Sequence, residues 1–221
     1  WTKEERKRLI VIVVLFAGAA VFWSAFEQAA STLNLFAAQN TRNSIFGWTF
    51  PSSWFQSVNA LMIIIFAPVF AWIWISLGKR DPSSPAKFAF GLVSVGLGFV
   101  VMVGAAQASA NGVLVSPMWL VLTYLLHTIG ELSLSPVGLS SMTKLAPDRV
   151  KGMMMGVWFL AASVGNLIAG GVLRFYADFT LPQVFGATLT GLTDNPLVYL
   201  LIVNVLLLVV GCFMEALAAM L

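Results

Sequence analysis

Long apolar stretches alternate along the chain with short polar, turn-forming connectors. Six stretches exceed about 18 residues, the length at which a helix is better read as crossing about 30 Å of hydrocarbon than as lying in a soluble core. They run approximately from Leu9 to Phe36, Trp54 to Leu77, Phe88 to Ala108, Met118 to Met142, Met153 to Tyr176 and Pro196 to Leu221. Breakers mark the connectors: Phe50-Pro51-Ser52-Ser53, the run Gly78 to Pro85, Asn111-Gly112, Pro147-Asp148 and Asn195-Pro196. None of them has room for a soluble domain, and the longest, from about Ala177 to Asn195, offers only a covering segment. The pattern predicts an all-α membrane protein in which residues 1–221 form one six-helix transmembrane bundle.

Composition agrees. Of 221 residues, 59% are hydrophobic and 10% charged, and the mean hydropathy of +0.91 is far from that of a soluble globular core. The net charge of +3 could suggest an acidic partner, but its distribution has another meaning. Ten of the twelve basic residues fall on one side: Lys3, Arg6, Lys7 and Arg8 before the first span, Lys79, Arg80 and Lys87 in the second connector, Lys144, Arg149 and Lys151 in the fourth. Only Arg42 and Arg174 fall on the other. By the positive-inside rule both termini of this segment are expected in the cytoplasm, with membrane lipid and not nucleic acid as the surroundings the charge addresses. The apolar run after the basic start continues well past the about 7 to 15 residues of a signal-peptide core, so it is expected to be a true span. Cys212 stands alone within the last span and supports neither a disulfide nor a thiolate metal site. The start at Trp1, without Met and with a basic lead-in, suggests that something precedes it.

An ionisable group near the bilayer centre costs at least about 2.5 kcal/mol, so each needs a reason. Glu27 lies in the first span with Ser24, Ser31 and Asn34 at helical spacing, predicting one polar stripe suited to reversible protonation. In the fourth span Tyr124, His127, Glu131 and Ser135 repeat at three, four and four, again one face. Pro136 follows, flanked by Gly130 and Gly138, and predicts a bend or flexible break there. Gln56 and Asn59 share a face of the second span, and the fifth carries Trp158 and Asn166. Trp158 by itself reads as packing, and Ala161, Gly165 and Ala169 form a ladder of small residues for close helix contact. Four helices would thus build a concave polar wall, and such a wall needs a second one opposite it to enclose a substrate.

Other classes fit less well. An intramembrane serine hydrolase would need a nucleophile in a glycine-flanked turn with a histidine on a later helix. Ser140 lacks the following glycine, and His127 lies upstream on the same helix. Asn59-Ala60 and Asn195-Pro196-Leu197 do not supply the paired half-helix motifs of a water channel, and there is no P-loop or metal-ligand cluster. No enzymatic activity and no cofactor beyond a coupling proton are expected. An isolated six-helix scaffold or folding unit is the remaining alternative.

Four segments resemble the C-terminal six-helix bundle of the proton-coupled oligopeptide transporter family, a branch of the major facilitator superfamily: FWSAFEQAASTLNLFA at 22–37, SWFQSVNALMIIIFAPVFAWIW at 53–74, GELSLSPVGLSSMTKLAP at 130–147 and GMMMGVWFLAASVGNLIAG at 152–170. The resemblance implies uptake of di- and tripeptides driven by protons, by alternating access against an N-terminal six-helix bundle absent from this chain, which alone would be inactive. It implies that Glu27 is the proton-coupling carboxylate, pairing with an arginine of the other bundle. Glu131 would meet the peptide's amino terminus, Asn59 its backbone, and Trp23 and Trp158 would line pockets or the gate. Ser135 would join the substrate site, with His127, Pro136 and Asn166 in support or gating. Where family members often have glycine this chain has Ala30. The short third connector leaves no room for the extracellular domain of animal members, so a bacterial inner membrane is the expected location.

Overall fold

The computed structural model describes residues 2–109 and 112–173. Within them, six α-helices follow one another: α1 (Lys3–Phe26), α2 (Thr32–Gln39), α3 (Phe55–Leu77), α4 (Ser84–Ala108), α5 (Met118–Leu145) and α6 (Met154–Leu173). Because α1 and α2 belong to one run, these make five membrane-length helical segments among the described residues. Helices α3, α4 and α5 overlie the second, third and fourth expected spans, and α6 starts where the fifth is expected, whose end at Tyr176 lies outside the described residues. The expected sixth span, 196–221, with Cys212, lies outside the described residues.

The first span is where the pattern misleads. A single helix from Leu9 to Phe36 was the simplest reading of an unbroken apolar run, but the α-helix ends at Phe26, tightens into a 3-10 turn over Glu27–Ala30, and restarts at Thr32. Ser24, Glu27, Ser31 and Asn34 therefore do not stack on one face. Side-chain hydrogen bonds drive the break. The buried Gln28 amide takes the hydroxyl hydrogens of Ser31 and Thr32 on its Oε1, at 2.9 and 3.0 Å, bonds that hold the next turn out of α-helical register.

The opposite correction applies to α5. Pro136 does not break it, and the helix runs continuously from Met118 to Leu145. Its flanking glycines serve packing instead. A Cβ on Gly130 would stand 2.8 Å from the Gly91 carbonyl oxygen of α4, and one on Gly138 would collide with the Trp158 ring of α6. With no hydrophobic driving force between helices in lipid, such close backbone approach is how they gain contact. Gly91→Ala, whose Cβ would lie 2.6 Å from Leu134 Cβ, is expected to destabilise the α4–α5 pair, the most extensive among the described residues, by about 1–3 kcal/mol. Thermal unfolding in detergent measures it, and an unchanged midpoint would mean that the two helices are not locked.

The second extensive pair is α1 with α6. Gly165 sits directly on α1, where a Cβ would come within 2.8 Å of the Ala20 carbonyl and the Ser24 nitrogen, so the small-residue ladder performs the expected close packing. Helix α3 differs: it buries only Phe55, packs mainly on α5, and leaves Ile64, Trp72 and Ile75 outward. At the hairpin end, β1 (Ser44–Ile45) and β2 (Trp48–Thr49) form a two-residue-turn ribbon that the apolar pattern does not announce. Its turn places both Phe46 and Gly47 at positive φ. A backbone bridge from Thr41 to Val115 ties this connector to the third one.

At the other end, the start of α1 and the α5–α6 connector are clamped. Thr2 and Glu5 form a capping box, and Arg149 reaches the same Glu5 carboxylate at 2.8 and 3.0 Å. Lys87 bonds Asp81 at 2.7 Å and lies over the Trp74 ring. Several basic residues on the expected cytoplasmic side thus organise connectors.

Candidate functional site

The break after α1 delivers Glu27 to a cavity of about 190 Å³ between α3 and α5. Glu27, Gln56, Asn59, Tyr124 and His127 supply its polar lining, with Phe26, Ala29 and Ala30 the rest. Among the described residues no lysine or arginine borders it. Ala30, where family members often carry glycine, sits on this wall and is exposed.

One helix over, a polar chain links α3 to α5. Asn59 donates through Nδ2 to Glu131 Oε2 at 3.4 Å, and its Oδ1 accepts from the Thr128 hydroxyl at 2.6 Å. Thr128 is also within 2.8 Å of the Tyr124 carbonyl. The ionised Glu131 carboxylate can only accept, so it sets the Asn59 amide with Nδ2 toward it and Oδ1 toward the Thr128 hydroxyl. The bond to Glu131 is long, and Glu131 is only half-buried, so its carboxylate keeps acceptor capacity for a further donor. The Tyr124 hydroxyl crosses to the Ala29 carbonyl at 3.4 Å, which the 3-10 turn leaves without an α-helical partner.

His127 and Glu131 are one turn apart but serve different surroundings. The histidine is 1% exposed, set between Phe26 and Phe99 with the backbone of Val95 beside it, and Gly98 provides the room: a Cβ there would stand 2.7 Å from its Nε2. Ser135 is half-buried with its hydroxyl buried and unpartnered, while Pro136 and Asn166 are exposed. Trp23 packs edge-on against Phe22 and Phe26, its indole nitrogen buried and unpartnered. Trp158 is 4% exposed, lies against Gly138, and does not border the Glu27 cavity.

Glu27, Gln56, Asn59 and Glu131 are thus gathered on neighbouring surfaces, whereas Ser24, Ser31 and Asn34 are not. Two contributors escaped the sequence analysis. Thr128 is one of many helix hydroxyls and gives no signal without its partner. Gln28 does give one: an amide inside an apolar run, off the Glu27 stripe, must find partners or remain out of lipid. A larger recess of about 540 Å³ beside the β-hairpin is lined by aromatic and aliphatic side chains, including Trp48, Phe50, Trp54 and Leu61, with Ser57 its sole hydroxyl. It carries no chemistry for a charged ligand.

The sequence model of the POT family matches residues 2–188. The chain belongs to the POT family. Peptide transporter YePEPT of Yersinia enterocolitica is 51% identical over 173 residues, which are 76% of this chain and 34% of that protein. A di-/tripeptide transporter of Lactococcus lactis is 35% identical over 84% of this chain and 38% of its own length. Among solved structures, peptide transporter POT in complex with sulfate superposes with a TM-score of 0.86 at 42% identity, covering 96% of this chain and 42% of that one. A POT family transporter in complex with a thioalcohol-conjugated peptide superposes with a TM-score of 0.80 at 30% identity. This POT family chain therefore has the fold of a multi-pass membrane transporter, and it spans about a third to two-fifths of the length of the relatives it matches. Those relatives are transporters and not enzymes.

Proposed function

We propose that this chain is the C-terminal bundle of a proton-driven importer of di- and tripeptides in a bacterial inner membrane, with the termini of the segment cytoplasmic. The observation that carries the proposal is the pair of carboxylates on one open wall. Glu27 faces a cavity to which the described residues bring no cation, and Glu131 is steadied by Asn59 while keeping free acceptor capacity. A lone carboxylate at membrane depth costs at least about 2.5 kcal/mol unless it is neutralised by a proton or an opposing cation. A partner bundle bringing an arginine to Glu27 would provide that cation, and proton binding would release it, shifting the balance between two conformations.

In this mechanism Glu131 accepts a charge-assisted hydrogen bond from the peptide ammonium, and the Asn59 amide sits beside the peptide backbone. Trp23 and Ser135 border the peptide in this reading, Trp158 backs the wall through its contact with Gly138, and His127, Pro136 and Asn166 act in support or gating. The proton is the coupling ion and no prosthetic group takes part. By itself the bundle offers one wall and does not transport.

The test is uptake of a labelled dipeptide into proteoliposomes holding the complete transporter. An inward proton gradient should drive accumulation above the external concentration, and a protonophore should collapse it. Accumulation indifferent to the gradient would sink the proton coupling, and no peptide uptake would sink the substrate class.

A further inference from the structure

Gln28 is 0% exposed and satisfied on both ends of its amide. Its Nε2 donates to the Ser24 carbonyl at 3.4 Å and, across the helix boundary, to the Ala169 carbonyl of α6 at 3.3 Å. Its Oε1 accepts from Ser31 and Thr32, the residues at which the chain restarts as α2. One side chain therefore joins the end of α1, the start of α2 and the C-terminal part of the described α6, immediately after Glu27. One turn earlier on α6, Gly165 presses on Ser24 and Ala20 from the same direction. The end of α1 and the turn that follows it are thus attached to α6 at two levels; the Glu27 N–H still closes an α-helical bond to the Trp23 carbonyl, and beyond it the backbone continues as the 3-10 turn that Gln28 braces.

We infer that Gln28 is a positioning residue for Glu27, which makes the α1–α6 pair, and not α1 alone, the body that carries the coupling carboxylate. Gln28 does not touch the cavity. It acts by fixing the 3-10 turn from behind, and without it the turn is free to re-form as α-helix, which rotates Glu27 relative to the cavity mouth. A misplacement of about 1 Å at a coupling group costs up to about 100-fold in function. The inference rests on Glu27 being the coupling carboxylate, as proposed above.

Gln28→Leu, which preserves volume and deletes all four bonds, tests it in the complete transporter in proteoliposomes, beside wild type and Glu27→Gln. The expected result is a loss of gradient-driven accumulation of about tenfold or more, with counterflow exchange of the same peptide reduced by less than about twofold. A purely structural glutamine would lower accumulation and counterflow together, in proportion to folded protein in the membrane, and that result overturns the inference. If Gln28→Leu does not fold, Gly165→Ala replaces it, since an added methyl forces α6 from α1 beside the same turn. Selective loss of accumulation then supports the inference, and proportional loss overturns it. Should Glu27→Gln itself accumulate peptide normally, the assignment of the coupling residue fails first. If Glu27→Gln is uncoupled and Gln28→Leu is not, only the positioning role fails.

Discussion

Glu27→Gln in the complete transporter is expected to bring the peptide accumulation ratio to about one, the value of simple equilibration, while counterflow exchange persists. Coupling requires a group that changes charge as the transporter changes conformation. Glutamine has nearly the size of glutamate and can occupy the same cavity wall, but it cannot bind and release a proton. The cavity contains no lysine or arginine, so the carboxylate's charge is balanced only by a proton or by a cation from outside the described residues. Removing that charge removes the energetic difference by which proton binding biases the conformations. Because exchange of peptide for peptide needs no net proton movement, it should continue. Measuring both fluxes on the same proteoliposomes separates uncoupling from unfolding, and intact accumulation in Glu27→Gln would sink the assignment.

Glu131→Gln should weaken peptides with a free amino terminus by about 10- to 100-fold, the worth of a hydrogen bond to a charged group. The substitution is mild locally. Asn59 donates to a carboxylate oxygen, and a glutamine carbonyl accepts from the same donor, so the Thr128–Asn59 chain survives. What disappears is the negative charge facing an ammonium, and with it the short, charge-assisted geometry. Amino-acetylated peptides carry no ammonium and should lose much less. Competition of each peptide against a labelled dipeptide measures the difference, and equal losses would make Glu131 a structural residue of the α3–α5 contact.

The legible and illegible parts of the site differ for a physical reason. Glu131 and Asn59 could be found because a polar residue in an apolar run is conspicuous, and helical spacing places Gln56 with Asn59 on one face of α3. Their bond across 72 positions could not be found, since periodicity carries no information on which helix lies opposite. Glu27 was conspicuous for the same reason, but its three supposed companions were misplaced. Spacing of three and four means a shared face only while the helix lasts, and this one stops at Phe26. Pro136 shows the converse. This local breaker lies inside a helix that stays continuous, with α4 close at Gly130 before the proline and α6 close at Gly138 after it.

The sequence by itself determined that the chain crosses a membrane repeatedly and which residues bear charge or polarity within it. Both are matters of transfer free energy, which depends on composition over a window and not on neighbours in space. Only the tertiary structure decided where the first span breaks, which helices touch, and which side chains complete one another. Gln28, an unremarked amide in the sequence, becomes a junction of three helices because burial obliges its donors and acceptors to find partners, and those partners exist only once α6 has packed on α1.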